Sequence, residues 1–280
     1  MFLLVLLSLF LTGCEEMDIT MATQAGADAV RAITLDDEDV QRMALEVSRQ
    51  SDLQHVVAAP DNPYARRLQS VAGGYEQISG HNFNFKVYLS PTVNAFAMAD
   101  GSIRIYSGLM DMLDDRELLF VVGHEMGHVV EKHIKEKIRV AYAGSAVRKA
   151  VASQRSEAGY MARSVVGALA ESLLNAQFSQ QEEREADDYG LMIVKQAGHG
   201  EDVAISALMK LATLGNDHSF LSSHPAPEKR AERLKSAAQS HEHDRSSLMD
   251  RALNLCDELL AGLSGLWAEI RSFLGKLLGA

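Results

Sequence analysis

Apolar positions along this chain fall into three patterns. Residues 2–11 are almost wholly apolar. Phe85-Lys86-Val87-Tyr88-Leu89 and Ile103-Arg104-Ile105-Tyr106 alternate apolar with polar, as half-buried strands do. Most of the remainder repeats at the helical spacing of three and four. The spacing predicts helices over about 35–51, with Thr34 and Asp37 in capping-box relation, and over 63–71, with Asn62 as N-cap and Pro63 in the first turn. Gly73-Gly74 weakens the chain beyond it, strands fill about 83–106, and Ala99-Asp100-Gly101-Ser102 reads as a turn. A long helix is expected over 115–140, then helices over 181–196, 201–214 and 227–239, and 142–178 reads as an Ala- and Ser-rich helical stretch. No internal repeat is present. The fold class is α+β, mainly helical, with a small β-sheet.

The tail, 247–278, carries two adjacent apolar stripes, Leu248 through Leu277 and Met249 through Leu278, at helical spacing. So broad a face requires a cover: the rest of the chain, a partner helix or a membrane surface. Arg245, Arg251, Arg271 and Lys276 balance Asp250, Asp257, Glu258 and Glu269. An interfacial helix carries excess Lys and Arg, so packing on the protein or on a partner is favoured, and its sharper form places the helix over the cleft as a restraint.

The strongest chemical signal is His124-Glu125-Met126-Gly127-His128. Helical residues four apart stand about 40° apart in projection and roughly 6 Å apart along the axis. Two imidazoles so placed grip one metal ion, and Glu125 between them reaches a water beside it. His133, nine residues after His124, falls on the opposite side of a continuous helix and is expected to point away. His241 and His243 lie in a polar stretch and read as a hinge.

Catalytic zinc takes three protein ligands, and two His with one Glu is a known set. The candidate third ligand lies in Glu182-Glu183-Arg184-Glu185-Ala186-Asp187. Glu183 and Asp187 share a helix face, so Glu183 suits the metal while Asp187 accepts the N–H of a ligand His. Glu182 and Glu185 lie on other faces, and an acidic solvated face is the plain alternative. The implied reaction is peptide-bond hydrolysis in which zinc polarises the carbonyl, with Glu125 as general base.

Gly123-His124-Glu125-Met126-Gly127-His128, Glu183-Arg184-Glu185-Ala186-Asp187 and His224-Pro225-Ala226-Pro227-Glu228-Lys229-Arg230 together resemble the HtpX/CAAX-protease-type gluzincins, as does 93–109. Within that family the likeness is greatest to the LoiP-like lipoprotein peptidases, then to the BepA-like proteins. It spans roughly 35–240. It implies a zincin-like domain with the sheet beside the active-site helix, one Zn2+ per chain, and unfolded or misassembled envelope proteins as substrates. A chaperone or assembly factor for outer-membrane proteins with a latent protease site is the competing reading. By resemblance, His224 is a removable fourth ligand; an oxyanion-stabilising role and an ordinary surface position before a Pro turn stay open. The stretch with Asn94, Ala95 and Phe96 is, by the same resemblance, an edge strand for substrate backbone, though a plain hairpin fits the pattern equally.

The apolar run at 2–11 is too short to span a membrane but suits a signal-peptide core. Leu11-Thr12-Gly13-Cys14 resembles the bacterial lipobox, implying cleavage before Cys14 and lipidation of its sulfur, although no Lys or Arg precedes the core. Glu15 after the Cys hints at the outer membrane, its periplasmic face. The expected organisation is a signal at 1–14, a tether at 15–34, the peptidase domain at 35–240 and the amphipathic helix at 245–280. With 280 residues, 47% hydrophobic, the chain buries a substantial core. A net charge of −11 argues against nucleic acid. With Cys14 lipidated, Cys256 stands alone and no intramolecular disulfide is available.

Overall fold

The computed structural model describes residues 19–153, 177–215, 219–240, 249 and 251. The expected signal and lipidation site, most of the 142–178 stretch, the His241/His243 hinge and nearly all of the amphipathic tail lie outside the described residues. The chain divides into a unit ending at Ala231 and a second, Glu232–Ala280, in which 232–240 are helical.

The first unit is built around one buried helix. In order, α1 spans Ile19–Thr34, α2 Asp37–Gln54, α3 Pro63–Ala72, and α4 Ser107–Met112 after the strands. The central helix α5 covers Asp115–Val130, α6 His133–Ala152, α7 Gln180–Gln196, α8 Glu201–Ala212 and α9 Ser219–Ser223; helical conformation resumes at 227. Strands β1 Gln77–Ile78 and β2 His81–Asn82 form a small antiparallel pair. Strands β3 Asn84–Tyr88, β4 Ala95–Ala97 and β5 Ser102–Tyr106 form a sheet in the order β3-β5-β4. β3 runs parallel to β5, and β4 pairs with it antiparallel, Phe96 opposite Arg104. β4 is therefore an edge.

Helix α5 is buried nearly all round, as its run of Leu118, Leu119, Phe120, Val121 and Val122 demands. Asp114 caps it in a reciprocal box with Glu117. Glu117 is itself buried and accepts from Ser206 and Lys210 of α8, at 2.6 Å each. Arg67 of α3 donates to Asp115 and to the Leu113 carbonyl, both 2.6 Å, and fixes the helix start. The sheet is held to α2 by Asp52, which takes Arg104 in two hydrogen bonds (2.7 and 3.1 Å), Lys86 (2.7 Å) and the Tyr88 hydroxyl (2.8 Å).

Three expectations change. The metal helix does not run to residue 140: it stops at Val130, Lys132 adopts φ 61°, and α6 starts afresh at His133. Asp37 of α2 holds this break by accepting from Lys132 at 2.9 Å and Lys135 at 2.5 Å. The cap of α2 is Asp36 accepting from the Asp39 amide, not the Thr34/Asp37 pair, because the chain breaks helix at 35–36. The stretch expected as a polar tether is helical at Ile19–Thr34, packed on α6, where Lys149 and Asp28 form an ion pair of 2.7 Å. That support is tertiary and leaves no mark in local composition.

Candidate metal centre

Two helices bring the centre together. α5 presents His124 and His128; α7, capped by the Ser179/Glu182 box, presents Glu183 in its first turn. The N-terminal end of a helix favours a carboxylate there. The crossing is close because it is lined by small residues. A Cβ on Gly123 would meet Gly190 Cα at 2.9 Å, and one on Gly127 would meet Ala186 Cα at 2.9 Å. His224 follows α9, with its amide on the Phe220 carbonyl (3.0 Å) and its ring stacked on Phe220, centroids 4.7 Å apart.

The ligating atoms of His124, His128, Glu183 and His224 all lie within 4.8 Å of one another. All four residues and Glu125 are at most 1% exposed. His124 Nε2 stands 3.1 Å from His128 Nε2 and 3.2 Å from His224 Nδ1; Glu183 Oε1 stands 3.0 Å from His224 Nδ1 and 3.5 Å from His128 Nε2. Zn–N bonds of 2.0–2.1 Å at tetrahedral angles imply separations of roughly 3.3 Å between ligand atoms. The donor set fits zinc for a second reason. His124 Nδ1 faces Asp187 Oδ1 at 3.1 Å and therefore carries the proton, leaving Nε2 as a lone pair. Burial drives His128 well below its ordinary pKa, more than Glu183 raises it, so its ring is neutral. Lone pairs and a carboxylate converging in a dry site need a cation between them.

The carboxylates are ionised despite their burial. Burial pushes Glu183 and Asp187 up, but Arg230 foremost, with His224 for the one and His124 for the other, outweighs it, holding Glu183 well below and Asp187 below the carboxylate range. Arg230 grips Asp187 in two hydrogen bonds, 3.0 and 2.5 Å, and its Nη1 lies against Glu183 Oε2 out of line for a hydrogen bond. Burial lowers the guanidinium pKa, and the two carboxylates raise it further than that.

The structure thus brings His124, Glu125, His128, Glu183, Asp187 and His224 to one place. Glu125 Oε1 is buried with no hydrogen-bond partner among the described residues; His224 Nε2 stands 3.4 Å away. Glu182 is spent on capping, and Glu185 meets His133 rather than the ligand cluster. Asn94, Ala95 and Phe96 lie at and in the edge strand. One expectation is corrected. His133 does not point away: because α5 ends before it, its Nδ1 stands 3.0 Å from His128 Nδ1, while its Nε2 meets Glu185 Oε2 at 2.9 Å. Phe178 was also missed. Its ring stacks on His128 with centroids 3.7 Å apart, and Lys137 lies 3.4 Å above its other side. Arg230 stood in a quoted motif without a role, and nothing in its spacing links it to Asp187.

Comparison with known proteins agrees with this geometry. The model of peptidase family M48 matches residues 59–238. Metalloprotease LoiP of Escherichia coli is 41% identical over 228 residues, 80% of this chain and 90% of that one. Metalloprotease YcaL of the same organism is 36% identical, over 80% of this chain and 91% of its own length. The Escherichia coli beta-barrel assembly-enhancing protease is 27% identical, over 53% of this chain and 33% of its own. A buried His-His-Glu centre on crossing helices, a family model spanning more than half the chain and relatives matched over most of their length lead to one conclusion: this chain belongs to peptidase family M48 and is a zinc metallopeptidase.

Proposed function

We propose that the chain is an endopeptidase of the bacterial envelope that cleaves misfolded or misassembled proteins and rests in a closed state. His124, His128 and Glu183 would hold the zinc, and Asp187 orients His124. When bound, zinc supplies Lewis acidity to the peptide carbonyl and acidifies water. Glu125 takes the proton of the attacking water on Oε1 and returns it to the leaving amine. The observation that carries this reading is that buried, unpartnered Oε1 beside the converged ligand atoms.

His224 supports the closed state. It fills the corner of the site between Glu183 and Glu125, and a fourth protein ligand turns an open centre into a closed one. The segment that carries it is strained. Ala226 sits at φ 54° between Pro225 and Pro227, a conformation costly for a residue with a Cβ.

Substrate backbone would pair with β4. The 94, 96 and 98 positions face β5, as the Met98 amide on Ser102 and the Tyr106 amide on Asn94 indicate. The backbone groups of Ala95 and Ala97 therefore point outward; the Ala95 N–H donates to Asn94 Oδ1 at 3.0 Å, and the Ala95 C=O with the N–H and C=O of Ala97 is available to an extended peptide. Beside Glu125 lies a cavity of about 130 Å³ lined by Met43, Val47, Phe96, Met98, Ile134 and Ile138, which suits an apolar side chain. Such a preference selects sequences that a folded protein hides. Envelope location, lipid attachment at Cys14 on the periplasmic face of the outer membrane, and the role of the tail belong to this reading and rest on the sequence.

The test is cleavage of an unfolded reporter protein by the full chain. Chelation should abolish it and zinc should restore it. Glu125→Gln should bind one zinc and cleave nothing. A fully active Glu125→Gln protein would end the proposal; an inactive parent that still prevents aggregation of the reporter would favour an assembly factor.

A further inference from the structure

The two zinc histidines of α5 are held from behind in different ways. His124 meets a carboxylate directly: Nδ1 to Asp187 Oδ1, 3.1 Å, in a site closed to water. Among the described residues, no carboxylate stands at His128 Nδ1. What stands there is a third imidazole, His133, 4% exposed, and only behind that comes an acid, Glu185, whose side chain is 41% exposed. The atoms impose one order of protons. With His128 Nε2 turned to the ligand cluster as a lone pair, its Nδ1 carries hydrogen and donates to His133 Nδ1. His133 Nε2 then carries hydrogen and donates to Glu185 Oε2. Every group is satisfied, each ring stays neutral, and no other arrangement of two neutral imidazoles does this.

From this we infer that His133 and Glu185 are positioning residues for the zinc ligand His128, forming an imidazole relay from its Nδ1 to the protein surface. Four features suit the role. Phe178 fixes the face of the His128 ring while His133 fixes its edge, so the ring has one orientation. The relay joins three elements, α5, α6 and α7, at the crossing that also delivers Glu183. The break at Lys132 exists in the place that allows it: a continuous α5 would carry His133 to the far side. Glu185 is anchored in turn by Gln181, 3.0 Å away on its own helix. Outer partners of this kind raise the basicity of a ligand imidazole and are worth 10–100-fold in metal affinity.

The inference rests on the zinc site described above. Its readout is zinc affinity rather than cleavage, so the two fail separately. Zinc dissociation constants of the full chain would be measured by competition with a chromophoric chelator, with circular dichroism as the check on folding. Glu185→Ala, a substitution at the surface, should weaken zinc binding about tenfold or more. Glu185→Gln keeps an acceptor for His133 and should recover most of it. His133→Phe preserves ring volume and should lose as much as Glu185→Ala. The double variant should be no worse than His133→Phe, because Glu185 acts through that ring. The visible spectrum of the cobalt-substituted protein should shift in Glu185→Ala and not in Glu185→Gln. Unchanged affinity in Glu185→Ala, or losses that add in the double variant, would overturn the relay. Should His133→Phe fail to fold, the two Glu185 variants decide alone.

Discussion

Gly127 and Ala186 touch backbone to backbone: a methyl added to the glycine would lie 2.9 Å from Ala186 Cα and 3.1 Å from its carbonyl oxygen. The contact sets how far α7 stands from α5, and therefore where Glu183 stands relative to His124 and His128. Gly127→Ala should force the helices apart by several tenths of an ångström, shifting Glu183 relative to His124 and His128 without substituting any of the three. Helix propensity alone would favour alanine by about 1 kcal/mol. The expected outcome is a folded protein with weakened zinc binding, read by chelator competition. Parental affinity would show that the crossing has slack.

Arg230 is the counter-charge of the centre. It compensates Glu183 and Asp187 together, two buried anions that would otherwise lack this counter-charge. Arg230→Met keeps the volume and removes the charge. Breaking a buried pair this way costs about 3–5 kcal/mol. The loss should be larger without zinc than with it, because the ion supplies part of the missing charge. Thermal unfolding with and without chelator measures the difference, and equal losses would contradict it.

His224→Ala should leave zinc bound, since two imidazoles and one carboxylate remain. If the closed arrangement outnumbers the open one about ten to one, its removal raises cleavage roughly tenfold. The initial rate on an unfolded reporter gives the answer. A rate that falls would assign His224 to the reaction itself.

Asp52 gives the fold a pH dependence. Burial pushes its carboxyl up, but Arg104, Lys86 and Tyr88 together hold it down at about 2. A group depressed in the folded state contributes stability that is complete above its unfolded value, about 3.8, and is lost as pH falls through about 2. Asp52→Asn should therefore be less stable than the parent at neutral pH, with Arg104 left buried and unpaired. The gap should narrow below about pH 4. Urea unfolding at pH 7 and pH 3 reads both limbs; a gap that stays constant would remove Asp52 from the acid transition.

How far the sequence carries depends on range. His124, Glu125 and His128 are legible because one helical turn joins them. Glu183 and Asp187 are legible by the same four-residue step, and Asn62-Pro63 announces α3 by its own chemistry. Helix α1 is not legible, since it owes its form to packing on α6. The end of α5 is equally hidden: Glu131-Lys132 contains neither glycine nor proline, and the left-handed turn at Lys132 is held by Asp37, far away in sequence. Missing that turn placed His133 on the wrong side and concealed Glu185. Arg230 belongs to the same class, a long-range charge pairing without local periodicity.

The two-residue joint between Val130 and His133 thus acts as a ruler. One residue added or removed there would rotate the start of α6 by about 100°. The imidazole behind His128 would swing out of reach, and the helix that walls the apolar cavity would turn with it. Tolerance to insertion, normally highest in connections, should be lowest at this one.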